Sequence, residues 1–233
     1  MAVPEAVAGL AAIPGLRTAA QLGEPNPDAS APAGSLPLAP ALTKLVPGGL
    51  RRGSAVSVTG STALVFALLA EAIGEGSWAA ITGMPEAGLV AAAELGVALD
   101  RLALFPHPGA EVAAVLSALI DGFDLVVLGP PVTRGMQPQL ARRLAGRVRN
   151  RGAVLLAAGP WPSADLDLRV SNRRWRGLTD DGFGHLEFRE VVATSRGRGA
   201  AAQPRTVALQ LPGPGGAVAV EVSAGRGLTE VAG

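Results

Sequence analysis

The residues best placed for chemistry lie in the run Thr59-Gly60-Ser61-Thr62-Ala63-Leu64. A short β-branched stretch, Ala55–Val58, leads into it, and an apolar stretch from Ala63 follows. Gly60 permits a sharp turn, and Ser61 or Thr62 offers a hydroxyl to cap a helix. Strand, glycine turn, hydroxyl and helix make the frame of a phosphate-binding loop, whose backbone N–H groups and helix N-terminus attract anions. The full pattern is G-x-x-x-x-G-K-[ST], in which the lysine reaches the β- and γ-phosphates. Here the loop is roughly five residues short of that pattern, and Ser61 stands where the lysine belongs. The frame is present without its phosphoryl-transfer groups.

The rest of the chemical inventory is thin. Without cysteine, the chain has no disulfides, thiol nucleophiles or thiolate metal sites. Two histidines, His107 and His185, leave little for a metal set or a histidine-based triad, and both read as surface or loop residues. Charge distribution says more. The formal net charge is +1, yet residues 53–133 hold one arginine against eight acids, and residues 134–205 hold fourteen arginines against six. Arg173, Arg174 and Arg176 surround Trp175, and Arg196, Arg198 and Arg205 follow. Arginine suits bidentate contact with phosphate or carboxylate, and a tryptophan beside it can stack a base. These seven residues are the candidate contacts to DNA or a partner, and DNA binding through them is expected to ignore sequence and weaken with salt. The alternative is a solvated surface of an arginine-biased composition, with Trp175 as a partly buried anchor.

Elements that could position these groups alternate regularly. The pattern predicts a helix at Ala63–Ile73, a strand at Trp78–Thr82, and a helix at Glu86–Leu95 opened by Pro85 and ended by Gly96. A strand at Leu102–Phe105, a helix at Pro108–Ile120 and a strand at Asp124–Leu128 come next. Pro130-Pro131 should break the chain before a helix at Pro138–Arg151, whose core stripe is Leu140, Leu144 and Val148, and a strand at Ala153–Ala157. That alternation implies an α/β fold with a parallel sheet covered on both faces. The last third reads as β: Asp165–Val170, Leu186–Ser195, and a hairpin of Thr206–Leu211 with Ala217–Val222 around Pro212–Gly216. Residues 1–40 read as a flexible arm, 41–222 as one domain with a strand-rich part from 160, and 223–233 as a tail. The longest uncharged run, Gly53–Ala70, is interrupted by serines, threonines and glycine, so no membrane span is expected. No export signal is visible at Met1, which favours a cytoplasmic protein.

Residues 42–130 resemble the core of the RecA recombinase. GGLRRGSAVSVTG is similar to the approach to its nucleotide loop, GSTAL to a decayed form of that loop, and Glu94–Leu102 to the run after its second core strand. The resemblance implies a RecA-like, mostly parallel sheet flanked by helices, with antiparallel C-terminal strands. It places Met84 at the position of the water-activating acid and Gly129 at that of the magnesium-supporting aspartate. Glu86, two residues on, would substitute only if its loop were re-aimed. With Gly60, Ser61 and Thr62 as a degenerate nucleotide loop, the expectation is a pseudoenzyme without a catalytic residue, cofactor or metal. The segments that form RecA's mobile DNA-binding loops are short here, and the N-terminal segment would be a docking arm by the same analogy. The run from Ala164 to Gly213, together with the chain's size, resembles the ImuA family in its shorter form, ImuA-prime. That resemblance implies a non-catalytic adaptor of SOS-induced translesion synthesis. Its implied partners are ImuB, an inactive Y-family polymerase relative, and an error-prone replicative-type polymerase, with RecA a further candidate; their contacts would fall in the C-terminal part. A RecA-like protein with residual nucleotide binding and a SulA-type division inhibitor are the alternatives.

Overall fold

The structure is a computed structural model that describes residues 34–162, 164–179, 181–198 and 203–220. Most of the expected arm, and the tail at 223–233, lie outside the described residues. Packing begins before residue 41: β1 (Ser35–Leu36) pairs antiparallel with β2 (Leu50–Arg51), and Leu36 and Leu38 are buried.

The chain then alternates through β3 (Ala55–Thr59), α1 (Thr62–Gly74), β4 (Ala79–Thr82), α2 (Leu89–Glu94) and β5 (Leu102–Phe105). It continues with α3 (Val112–Gly122), β6 (Leu125–Leu128), α4 (Pro130–Arg134), α5 (Pro138–Arg151) and β7 (Val154–Ala157). Four strands complete the described residues: β8 (Leu166–Leu178), β9 (Gly184–Gly197), β10 (Arg205–Gln210) and β11 (Ala219–Val220). One nine-stranded sheet runs β11-β10-β9-β8-β3-β7-β6-β4-β5. From β8 to β5 every neighbouring pair is parallel, while β8–β9, β9–β10 and β10–β11 are antiparallel.

Apolar surface decides the layers. The central strands β4, β6 and β7 are buried throughout, as strands covered on both faces must be. One face packs α1, through Leu64, Leu68 and Ile73, together with Leu42, Leu45 and Leu50 from the N-terminal segment. The other packs α3 and α5, through Leu116, Ile120, Leu144 and Val148. Two polar groups tie this framework together: Ser195 Oγ donates to Leu45 O at 2.7 Å, and the Asp124 carboxylate accepts from Arg52 and from Trp78 N.

Several predicted boundaries move, each for a local reason. The helix after β4 starts at Leu89 rather than Glu86, because residues 85–88 form a turn and Gly88 precedes the first helical residue. The helix expected from Pro108 starts at Val112, since Gly109 has φ +70° and cannot continue a right-handed helix. Pro130-Pro131 opens α4 instead of breaking the chain, because the first positions of a helix need no N–H donor. β8 extends well past Val170, carrying Arg174–Arg176 into pairing with β9. The expected β10–β11 hairpin forms, and the end of its second strand falls outside the described residues.

Candidate functional site

β3 ends at Thr59, and α1 begins three residues later. Gly60 makes the connection at φ +86°, and a Cβ there would collide with the Val170 carbonyl of β8. Ser61 is the N-cap: its hydroxyl accepts from Leu64 N at 3.3 Å. The loop is therefore a tight corner with no room for an enclosing phosphate cradle. It opens on a cleft of about 790 Å³ at the C-terminal ends of the parallel strands. Thr62, Ala63, Thr133, Arg134 and Pro160 line the core side, and Arg173, Trp175, Arg189 and Pro212 line the β-extension side.

Arg173 and Arg189 take over the mouth of the loop. Arg173 Nη1 donates to Gly60 O at 3.1 Å, and Arg189 Nη2 donates to Ser61 Oγ at 3.2 Å. Arg189 Nε donates to Leu211 O at 2.8 Å, and its guanidinium lies 5.5 Å from the Trp175 ring centroid, within cation–π range. Burial, and secondarily the charge of Arg173, hold the Arg189 guanidinium below its ordinary value.

A β-bulge brings these side chains together. Ser171 pairs with Val192 and Arg174 with Glu190, so β8 has one residue more than β9 over this interval. Asn172 sits at the bulge with φ +48°, a conformation asparagine tolerates better than most residues. The extra residue reverses the alternation of faces along β8. Before it, Leu168 and Val170 point into the core with Ala193 and Val191; beyond it, Trp175 stands opposite Arg189 and shares the cleft with Arg173. Arg174 lines a separate shallow depression with Glu190, and Arg176 forms an ion pair with that carboxylate at 2.8 Å.

The predicted site residues are thus only partly gathered. Gly60, Ser61, Thr62, Arg173 and Trp175 share the cleft, whereas Arg174 and Arg176 do not line it. Arg196, Arg198 and Arg205 lie at the opposite end of the hairpin, with Arg196 across from Asp167 and Arg205 across from Ser195. Six residue steps along extended strand, about 20 Å, separate Glu190 from Arg196. Met84 is buried in the core, and Glu86 is exposed in the following turn, away from the lining. Gly129 is more than a missing aspartate. Its N–H donates to Thr82 O at 2.8 Å, and a Cβ at 129 would overlap the Gly83 carbonyl. Arg189 and Arg134 were invisible as site residues, because only the pairing of β8 with β9 and the placement of α4 bring them to the loop. Among the described residues no acidic or histidine cluster could hold a metal, and no helix is long and apolar enough to cross a membrane.

Comparison with known proteins places this geometry. The MT3502 N-terminal domain family matches residues 44–163. A curated relative, the uncharacterized protein Rv3395c of Mycobacterium tuberculosis (strain ATCC 25618 / H37Rv), is 37% identical over 164 residues, 66% of this chain and 80% of its own length. The chain belongs to the MT3502 N-terminal domain family. With that membership it is an ImuA-type protein. Among solved structures it is similar to the RadB recombinase, with TM-score 0.58 and 15% identity over 78% of this chain and 97% of that one. It is also similar to the flagellar accessory protein FlaH from Methanocaldococcus jannaschii, with TM-score 0.54 and 13% identity over 78% and 95%. The fold of this ImuA-type protein is RecA-like, as its sequence implied. The family match ends at residue 163, so the arginine-bearing β8–β9 hairpin lies beyond it.

Proposed function

We propose that this ImuA-type protein is a non-catalytic accessory protein of damage-induced translesion synthesis, acting in the cytoplasm with an ImuB-like inactive polymerase relative and an error-prone polymerase. The observation that carries the non-catalytic reading is the corner at Gly60-Ser61, closed over by Arg173 and Arg189, with no lysine or aspartate among its lining residues. Phosphoryl transfer needs a positioned metal and a group to orient the nucleophile, and Met84 and Gly129 supply neither. The fold is then free to serve as a scaffold. One feature of the β-extension suits docking. At the hairpin tip Leu178, Phe183 and Leu186 are exposed, Phe183 at 74%.

The test has two arms. Purified protein should show no ATP turnover above a contaminant control, and Ser61→Lys should not create it, because the loop stays short. A pull-down with an ImuB-like partner should succeed with the native chain and fail with a folded Arg196→Glu, Arg198→Glu, Arg205→Glu triple variant. ATP turnover abolished by Gly60→Asp overturns the non-catalytic reading; failure of the native chain to capture the partner overturns the accessory reading.

A further inference from the structure

Two guanidinium groups come to rest on consecutive residues of the loop, Gly60 and Ser61, and neither has a carboxylate partner among the described residues. Each carries five N–H donors. Among the described residues Arg189 directs two of them to protein acceptors and Arg173 one, all to neutral oxygens. Glu94 is the acid on the cleft wall, and it pairs with neither arginine. Holding two like charges together, one of them half-buried, opposes folding unless something negative offsets it. Arg134 on the core side adds a third positive charge to the same cleft.

From this arrangement we propose that the cleft between the Gly60-Ser61 corner and the β8–β9 hairpin is a binding site for a phosphoryl group, held by Arg173 and Arg189 and bounded by Arg134 and Trp175. The chemistry differs from that of a nucleotide loop. The charge arrives from a neighbouring hairpin rather than from a lysine in the loop, and nothing in the cleft would cleave what is bound. Arginine forks give bidentate contacts to phosphate oxygens, and both side chains line the same cleft. Trp175, 44% exposed with Arg189 against its ring, offers an aromatic surface for a base attached to that phosphate. Such a ligand would also tie the hairpin to the core, because Arg173 and Arg189 stand on β8 and β9 while their hydrogen bonds end on the β3–α1 corner. The phosphoryl group could belong to a free nucleotide or to the backbone of single-stranded nucleic acid. Nothing in the site depends on a polymerase partner.

Isothermal titration of the full chain with sodium pyrophosphate, ADP and a twelve-residue oligo-dT, at about 0.15 M salt, tests the assignment. Saturable binding of at least one probe is expected, weakened tenfold or more by Arg173→Ala and by Arg189→Met and unchanged by Arg143→Ala on α5, outside the cleft lining. Arg173 is exposed, so its variant carries the test even if Arg189→Met fails to fold. Displacement of pyrophosphate by oligo-dT assigns the site to nucleic-acid backbone; binding of ADP without displacement by oligo-dT assigns it to a free nucleotide. No saturable binding by any probe, or affinity in Arg173→Ala equal to that of the native chain, overturns the proposal.

Discussion

Replacing Gly129 by alanine should damage the fold more than any catalytic argument would suggest. The backbone at 129 has φ −69° and ψ 165°, which every residue adopts, so conformational strain plays no part. The cost is steric. A Cβ would overlap the Gly83 carbonyl and lie 3.0 Å from Met84 N, both backbone groups that no side-chain rotation can move aside. Relief requires the ends of β4 and β6 to part by roughly 1 Å, which breaks the 2.8 Å bond from Gly129 N to Thr82 O. One buried backbone hydrogen bond is worth about 1–1.5 kcal/mol, and overpacking typically adds about 1–3 kcal/mol. A loss of about 2–4 kcal/mol lowers the melting temperature of a domain this size by roughly 5–15 °C. Thermal unfolding followed by far-UV circular dichroism measures this directly. Gly135→Ala is the control, since a Cβ there meets only Pro131 O, at 3.6 Å, and its effect should stay within about 0.5 kcal/mol. A Gly129→Ala protein melting within a degree of the native chain would refute the reasoning. The same geometry bars Gly129→Asp from restoring a metal-supporting carboxylate.

Two further outcomes follow from single contacts. Burial alone would raise the Asp121 carboxyl, but hydrogen bonds from Arg147 and Arg151, aided by their charges, hold it below its ordinary value. The stability it adds is therefore present above the unfolded carboxyl's range, near pH 4, and lost as pH falls through the lower folded value. Asp121→Asn should cost about 1–2 kcal/mol at pH 7, discounted for the exposure of Arg147, with the gap shrinking below pH 4 in urea titrations. An equal gap at pH 7 and pH 3 would contradict it. Asn172→Val places a β-branched residue at φ +48° and should destabilise the bulge by about 1–3 kcal/mol and shift Trp175 emission, whereas Asn172→Gly should leave the emission unchanged. Unchanged emission and stability in Asn172→Val would mean that Asn172 does not specify the bulge.

What the sequence determined by itself is what short-range chemistry controls. The apolar runs Ala55–Val58, Leu125–Leu128 and Val154–Ala157 can only be buried strands, and the serine before Thr62 can cap the helix without help from the rest of the chain. The loop's missing length and missing lysine are equally plain from the residues alone, and so is the family resemblance they carry. Helix starts were less legible at Leu89 and Val112, where Gly88 and Gly109 shift them by a few residues and proline nearby suggested otherwise. Tertiary structure alone decided which arginines meet. Sequence distance makes Arg173, Arg174 and Arg176 one cluster, but side chains alternate across a strand, and the one-residue bulge at Asn172 chooses which of them face the loop. Arg189 reaches Ser61 from 128 positions away because β9 pairs with β8 and β8 with β3. Gly129 likewise reads as a lost aspartate until the approach of Gly83 shows that no side chain fits there.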